Sequence, residues 1–287
     1  MAVVLITGCS SGIGLEAAVA FARQGDTVYA TMRNLAKADR LKGRLAAEGL
    51  SAEIVPLDVV DDASVSDAVA AIEAKHGAID IVVNNAGIGY GGPVEDIDIE
   101  RARATVETNF WGSVRVIRAA LPAMRERRRG VIVNVTSVAG RVPGVAYNAF
   151  YAASKHALGA LSEGLKMEVE RWGIRVHAIE PGFFATDIFA NGELGMRNES
   201  SPYAPDQKWV DDFYEVSGEQ AGADPAIVAD VIVKVAGDPA APLHNLVGDD
   251  AVMFVDLVNQ AGTFEGWIPV ASSIVESVSG PRPAVPD

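Results

Sequence analysis

The stretch Val3-Val-Leu-Ile-Thr-Gly-Cys-Ser-Ser-Gly-Ile-Gly14 decides the fold of this 287-residue chain. Its first half is a continuous apolar run, which is typical of a strand buried on both faces of a parallel sheet. Its second half places Gly8, Gly12 and Gly14 before a helical pattern over residues 15–24. Glycines there let a phosphate approach the backbone, and the helix start offers free N–H groups. The spacing is not the common G-x-G-x-x-G fingerprint, so the stretch alone leaves a purely structural turn open.

Strand and helix patterns alternate along most of the chain. The sequence predicts strands at 3–7, 27–32, 52–57, 79–83, 131–135, 174–179 and 244–247. It predicts helices at 15–24, 35–48, 61–75, 97–127, 151–172 and 225–235. This alternation indicates an α/β fold, a Rossmann-type doubly wound parallel sheet of about seven strands with helices on both faces, in one domain.

The pattern fails between residues 186 and 220, where aromatic residues are spread through a stretch rich in turn signals. A long loop of this kind in a compact domain is usually a lid or a binding segment. We therefore expect residues 1–255 to form a nucleotide-binding domain that includes a substrate lid at about 186–220. Residues 256–287 are expected to form a C-terminal extension with an extended tail from Ser279.

Tyr151 and Lys155 are four residues apart, so on a helix they project from one face. A tyrosine has an ordinary pKa of about 10, and a nearby ammonium favours its charged form. Such a pair brings the phenol toward the range where general acid–base catalysis is efficient. On spacing alone, a chance pair on an amphipathic helix remains the alternative.

Charge and cysteine content exclude several classes of function. The formal net charge is −14, which repels nucleic acids and anionic membranes. Cys9 is the only cysteine, so no intrachain disulfide can form, and the four histidines lack ligand spacing, so no metal site is expected. No apolar run approaches the roughly 20 residues that span a bilayer. We expect a cytoplasmic protein without a signal peptide.

The end of the second strand indicates which dinucleotide the loop would take. An acidic residue there commonly accepts hydrogen bonds from the adenosine ribose of NAD. This chain has Thr31-Met-Arg-Asn34, with no carboxylate and one guanidinium. Arg33 suits a 2′-phosphate by charge and by geometry, so NADP(H) is favoured over NAD(H). A plain surface arginine is the alternative.

Five motifs follow one another in a fixed order. They are the glycine loop at 8–14, Asn84-Asn-Ala-Gly87, Ser137, the pair Tyr151 and Lys155, and Pro181-Gly182 with Thr186. Together they make the chain resemble the short-chain dehydrogenase/reductases of the single-domain, oligomeric kind, over roughly residues 2–255. The stretches Val28–Asn34 and Ile179–Gly182 are similar to the steroid- and retinol-dehydrogenase branches. One departure is Glu180, where the family more often has a neutral polar residue.

The resemblance implies a site and a reaction. Hydride would pass between the nicotinamide and a carbonyl carbon, with Tyr151 as acid or base. Asn109, Ser137, Tyr151 and Lys155 would be the catalytic residues. The implied cofactor-binding residues are Gly8, Ser10, Ser11, Gly12, Ile13, Gly14, Arg33, Asp58, Val59, Asn85, Ala86, Gly87, Tyr151, Lys155, Pro181, Gly182, Phe184 and Thr186.

Apolar residues cluster around the inferred nicotinamide end. The expected substrate contacts are Ser137, Val142, Tyr147, Tyr151, Phe183, Ile188 and Phe189. They indicate a small hydrophobic alcohol or ketone as substrate, although several of the aromatics could be plain core. A non-catalytic NADP(H)-binding regulator and a lyase on the same fold are the alternatives.

The helix that carries Tyr151 has small apolar residues around more than one face. A helix with one wet side does not need so many. Together with the resemblance, this predicts a homodimer or homotetramer built on the helices of Asn109 and Tyr151.

Overall fold

The computed structural model describes residues 1–143, 146–188, 198–220 and 222–284. Seven strands form one parallel sheet in the order β3-β2-β1-β4-β5-β6-β7. The prediction of a doubly wound sheet is therefore confirmed. The strands are β1 Val3–Ile6, β2 Thr27–Met32, β3 Glu53–Pro56, β4 Ile81–Asn84, β5 Gly130–Val135, β6 Ile174–Pro181 and β7 His244–Val247.

Ten α-helices lie in the part of the chain that the structure describes. They are α1 Gly12–Arg23, α2 Asp39–Ala47, α3 Asp62–His76, α4 Ile99–Val106, α5 Gly112–Glu126, α6 Ala149–Val169, α7 Ala204–Gln220, α8 Ala226–Gly237, α9 Asp249–Ala261 and α10 Phe264–Ser279. None of these described helices combines the length and the apolar character that crossing a membrane would need.

The sheet separates two apolar layers because successive strand residues point to opposite faces. On β1, Val4 and Ile6 join the layer covered by α1 and α8, whereas Leu5 joins the layer under α3, α5 and α6. Both faces are covered, which explains why the strands read as continuous apolar runs. The order of strands reverses between β1 and β4, so a crevice opens at their carboxyl ends.

The long helix expected at 97–127 contains a π-helical turn, Glu107–Trp111, between α4 and α5. A turn of this kind inserts one extra residue and is frequent at functional sites. Here it carries Asn109, which is completely buried.

The structure differs from the sequence prediction after residue 203. Residues 204–220, expected as an irregular lid, form the helix α7, whose residues Trp209, Val210 and Phe213 are buried. They pack in a third apolar cluster with Phe254 of α9 and Trp267 of α10. The helix α9 runs through residue 255, the boundary expected between domain and extension.

Candidate active site

A cleft of about 860 Å³ opens at the carboxyl ends of the strands and gathers most of the expected site residues. From the expected sets, its walls contain Gly8, Ser10, Ser11, Gly12, Ile13, Arg33, Val59, Asn85, Ala86, Gly87, Ser137, Val142, Tyr151, Lys155, Pro181, Gly182, Phe183, Phe184, Thr186 and Ile188. Gly14, Asp58, Asn109 and Tyr147 are not in the cleft wall. Phe189 lies outside the described residues.

The glycine loop is held by the end of β4. The side-chain amide of Asn85 donates to the carbonyls of Thr7 (2.9 Å) and Gly8 (3.2 Å). In return the Thr7 hydroxyl accepts from the backbone N–H groups of Asn85 and Ala86, each at 3.0 Å. A β-carbon on Gly14 would lie 2.4 Å from the Gly8 carbonyl oxygen. Gly14 therefore serves close packing of α1 on the loop, behind the cleft.

Asp58 has a local structural task. Its carboxylate accepts from the Val60 N–H at 3.2 Å, and its own N–H donates to the Ser64 hydroxyl at 2.9 Å. These bonds shape the turn after β3, and the neighbouring Val59 is the residue that reaches the cleft.

Asn109 supports the cleft from behind. Its Oδ1 accepts from the Ile88 N–H at 2.8 Å, and its Nδ2 donates to the Ile88 carbonyl and the Ser154 hydroxyl, both at 3.0 Å. A β-carbon on Gly87 would lie 3.2 Å from Asn109 Oδ1 and 3.6 Å from Lys155 Nζ. The Asn109 side-chain amide thus fixes the backbone at residues 87–88, which follow β4, beside Lys155.

Ser137, Tyr151 and Lys155 meet in the cleft wall, all of them buried. Ser137 begins a short 3₁₀ turn after β5, and its hydroxyl is hydrogen-bonded to Tyr151. The Lys155 ammonium donates to the Val135 carbonyl at 2.9 Å and lies 5.7 Å from the centre of the Tyr151 ring. A hydroxyl, a phenol and an ammonium therefore face one reaction volume.

Burial sets the protonation of this group in the chain alone. It raises the pKa of Tyr151 to about 12, and the hydrogen bond with Ser137 acts in the opposite direction. It lowers the pKa of Lys155 to about 8. The sequence predicts that Lys155 brings the tyrosine pKa down, but in the cofactor-free chain burial raises the Tyr151 pKa, and the group that acts against this rise is Ser137 rather than Lys155.

The pKa of Lys155 predicts how the stability of the cofactor-free chain depends on pH. Between its folded value of about 8 and its unfolded value near 10.5, the unfolded chain binds more protons, so stability rises with pH. We expect the free energy of unfolding to increase from about pH 8 to about pH 9.5 and Lys155→Met to remove most of this increase. Urea denaturation across this range measures both. Lys166→Met on the same helix is the control, and identical slopes in all three proteins would contradict the prediction.

Tyr147 was expected at the substrate, but it turns away from the cleft. Its backbone is left-handed, with φ of 64°, and its hydroxyl donates to Asp206 at 3.1 Å. Burial and the Asp206 carboxylate raise the pKa of Tyr147 to about 12. The side chain thus ties the start of α6 to the start of α7.

The unusual Glu180 is accommodated by partners on two neighbouring elements. It is 1% exposed, and its Oε1 accepts from His244 Nδ1 at 2.7 Å and lies 3.6 Å from the Arg141 guanidinium. Burial, the largest effect, raises its pKa. The carboxyl group connects β6 to β7 and to the turn after Ser137.

Sequence reasoning missed a set of residues that complete the substrate end of the cleft. They are Val138, Pro143, Asn148, Asp211, Tyr214, Glu215, Phe254 and Trp267. Asn148 could have been found, because it lies three residues before Tyr151. Val138 and Pro143 lie shortly after Ser137, in the segment that follows β5. The remaining five come from α7, α9 and α10, whose relation to the site only the folded chain shows.

Comparison with known proteins identifies the family. A model of the short chain dehydrogenase family matches residues 2–195, more than half of the chain. The chain belongs to the short-chain dehydrogenase family. This family membership makes it an oxidoreductase that acts on CH–OH or keto groups with NAD(P).

Individual relatives of this short-chain dehydrogenase resemble it in both sequence and structure. Retinol dehydrogenase 8 of Bos taurus is 39% identical over 253 residues, which cover 84% of this chain and 80% of the relative. A short-chain dehydrogenase from Streptomyces avermitilis superposes with a TM-score of 0.80 at 35% identity, covering 94% and 97% of the two chains. Actinorhodin polyketide ketoreductase, solved with NADPH, gives 0.71 at 31% identity, covering 85% and 94%. The chain lies in the retinol-dehydrogenase-like branch of the family.

Proposed function

We propose that this enzyme transfers hydride between NADP(H) and a secondary alcohol or ketone with an apolar body. The observation that carries the proposal is the convergence of Ser137, Tyr151 and Lys155 in one wall of the cleft. The cofactor would lie along the rest of the cleft, and the residues present fit it. Gly12 has a positive φ of 56°, and a β-carbon there would lie 3.3 Å from the Thr186 side chain, so glycine is what leaves the loop backbone accessible to a phosphate.

Different groups of cleft residues would bind different parts of the cofactor. Gly8 and the stretch 10–13 would hold the phosphates at the start of α1. Val59 would contact the adenine, residues 85–87 the adjoining ribose, and Pro181, Gly182, Phe184 and Thr186 the nicotinamide. When bound, the nicotinamide supplies the hydride for reduction and accepts it in oxidation.

The chain's own groups handle the oxygen and the proton. In reduction, negative charge develops on the carbonyl oxygen, and the Ser137 hydroxyl would donate to it. Tyr151 is protonated at neutral pH because its pKa is about 12, so it can give the proton that completes the alcohol. Lys155 would bind the nicotinamide ribose. Asn109 fixes the backbone at residues 87–88 beside Lys155, and it would hold a water that reprotonates Tyr151. In oxidation the roles reverse, and the phenolate form of Tyr151 would accept the proton of the alcohol.

An absorbance assay tests this function. NADPH oxidation is followed with a panel of apolar ketones, and NADP⁺ reduction with the matching alcohols. Turnover supports the proposal. Tight NADPH binding without turnover of any carbonyl would instead favour a non-catalytic regulator.

The preference for NADP(H) rests on the end of β2. Arg33 is exposed and lines the cleft together with Asn34 and Lys37. We expect Met32→Asp combined with Arg33→Ala to lower the ratio of kcat/KM for NADPH over NADH by tenfold or more. The change removes a charged hydrogen bond worth about 1.5–3 kcal/mol and adds an acceptor for the ribose.

Arg103→Ala, an exposed arginine on α4 outside the cleft wall, is the control for the loss of positive charge. An unchanged cofactor ratio in the double variant would contradict the assignment of Arg33.

We further propose that the enzyme is a cytoplasmic homodimer or homotetramer joined through α4, α5 and α6. Two large apolar side chains on this surface face solvent in the single chain: Trp111, in the π-helical turn between α4 and α5, is 49% exposed, and Met167 on α6 is 79% exposed. Residues 186–220 would serve as the substrate lid, since α7 contributes to the cleft wall. Sedimentation velocity tests the assembly, and a monomer at all concentrations would contradict it.

A further inference from the structure

The loop that follows β6 connects the sheet to the inferred nicotinamide end of the cleft. Pro181, Gly182 and Phe183 all lie in the cleft wall. The pairing of β6 with β7 ends at Pro181 and Val247, and the Gly182 N–H then donates to the Val247 carbonyl at 2.9 Å. Beyond this bond, the course of the loop depends on what its next backbone groups contact.

The next backbone N–H of the loop is bound by Asp250, in the first turn of α9. The Phe183 N–H donates to Asp250 Oδ2 at 2.6 Å. A hydrogen bond to an ionised acceptor is roughly twice as strong as one between neutral groups. Asp250 is itself absent from the cleft wall, so its carboxylate reaches the cleft through the loop backbone.

Two glycines make room for this carboxylate. A β-carbon on Gly182 would lie 2.1 Å from Asp250 Oδ2, and one on Gly248 would lie 2.4 Å from Asp250 Oδ1. Gly248 also has a φ of 102°, which favours glycine in any case, whereas Gly182 has no positive φ. The close approach of Asp250 is therefore what requires a glycine at position 182.

The same helix also holds the side chain of Phe183. Phe254 lies four residues after Asp250, so the two share one face of α9. The centre of the Phe254 ring lies 6.3 Å from that of Phe183, and Phe213 of α7 adds a ring at 5.8 Å. Helix α9 therefore fixes both the backbone and the side chain of the residue that follows Gly182.

We propose that Asp250 is a positioning residue for the nicotinamide. Its carboxylate holds the backbone of residues 182–183 in the place where the nicotinamide end of NADP(H) lies against the loop. The adenosine and the phosphates lie on other elements, the end of β2 and the start of α1, so their binding does not depend on Asp250. The proposal rests on the proposed function, which puts the nicotinamide on this loop, and adds the residue that sets the geometry of the loop.

Two nucleotides test the role of Asp250: NADPH, and ADP-ribose 2′-phosphate, which lacks the nicotinamide ring. Isothermal titration calorimetry gives both dissociation constants. We expect Asp250→Ala to weaken NADPH binding about tenfold, the effect of about 1.4 kcal/mol, and to leave ADP-ribose 2′-phosphate within about twofold of the wild type. Asp250→Asn keeps the shape and one acceptor oxygen, so we expect it to weaken NADPH binding about threefold. Because it preserves the packing at Gly182, this variant decides the question if Asp250→Ala does not fold.

Asp249→Ala is the matched control. Asp249 lies in the same first turn of α9, so its loss changes the net charge and the interaction with the helix dipole in the same way. It is exposed and absent from the cleft wall. We expect Asp249→Ala to bind both nucleotides as the wild type does, and a weakening of NADPH equal to that in Asp250→Ala would overturn the assignment.

Unchanged NADPH binding in the Asp250 variants would overturn the inference while leaving the proposed function standing. An equal loss of both nucleotides would overturn it as well, since that result is the signature of a general structural role. Turnover tests the proposed function separately. If the wild-type protein turns over no carbonyl compound, the proposed function fails, whereas the comparison of the two nucleotides still decides the role of Asp250.

Discussion

Tyr151→Phe is expected to lower kcat about a thousandfold and to leave NADPH binding within about twofold of the wild type. On the proposed mechanism, the substitution removes the hydroxyl that protonates the developing alkoxide, and it keeps the ring that packs in the cleft wall. Tyr151 is 6% exposed and its neighbours Ser137 and Lys155 remain in place. Binding is measured by NADPH fluorescence and turnover by NADPH absorbance.

Tyr203→Phe provides the matched control. Its hydroxyl donates to Glu95 at 2.9 Å outside the cleft wall, so the same atom is removed where no chemistry is proposed. Substantial turnover in Tyr151→Phe would rule out its role as the acid. Loss of NADPH binding in Tyr151→Phe would show that the Tyr151 hydroxyl serves to bind the cofactor rather than to donate the proton.

Gly14→Ala is expected to destabilise the fold by about 1–3 kcal/mol and to weaken NADPH binding at least tenfold. The added β-carbon would lie 2.4 Å from both the Gly8 carbonyl oxygen and the Asn85 side-chain amide. Backbone on one side and a hydrogen-bonded side chain on the other leave little room for adjustment. Because the added β-carbon forces the glycine loop to shift, the backbone N–H groups of the loop would no longer point toward the cofactor phosphates.

Gly164→Ala on α6 is the control, and we expect it to change the free energy of unfolding in the opposite direction. A β-carbon at Gly164 would meet nothing within 4 Å, and the residue lies inside a helix. We expect it to gain roughly 0.5–1 kcal/mol from the loss of glycine's backbone freedom. Urea denaturation compares the two variants. Equal stability of Gly14→Ala and wild type would contradict the steric argument.

The sheet and the meeting of Ser137, Tyr151 and Lys155 in one cleft were predictable because each depends on local sequence. Buried parallel strands such as β1 appear as unbroken apolar runs, and Tyr151 and Lys155 share a helix. Ser137 follows a strand, and parallel strands end at one edge, so its place beside them followed from the order of elements.

Features that depend on distant partners were not predictable. The pKa of Tyr151 reflects how deeply the folded chain buries it, which spacing on a helix does not reveal. The Tyr147 side chain lies outside the cleft because its hydroxyl donates a hydrogen bond to Asp206, a residue far away in the sequence. The sequence predicts a loop where α7 lies, because turn signals precede this segment, although Trp209, Val210 and Phe213 follow a helical spacing.

The bonds between Thr7, Gly8 and Asn85 have a practical consequence for protein engineering. The geometry of the glycine loop is shared with residues almost eighty positions later in the chain, so the loop is not a portable module. A transplant of residues 7–14 from a relative with a different residue at position 85 would arrive without its clamp. Chimeras that alter cofactor binding should therefore exchange residues 7–14 and 84–87 together.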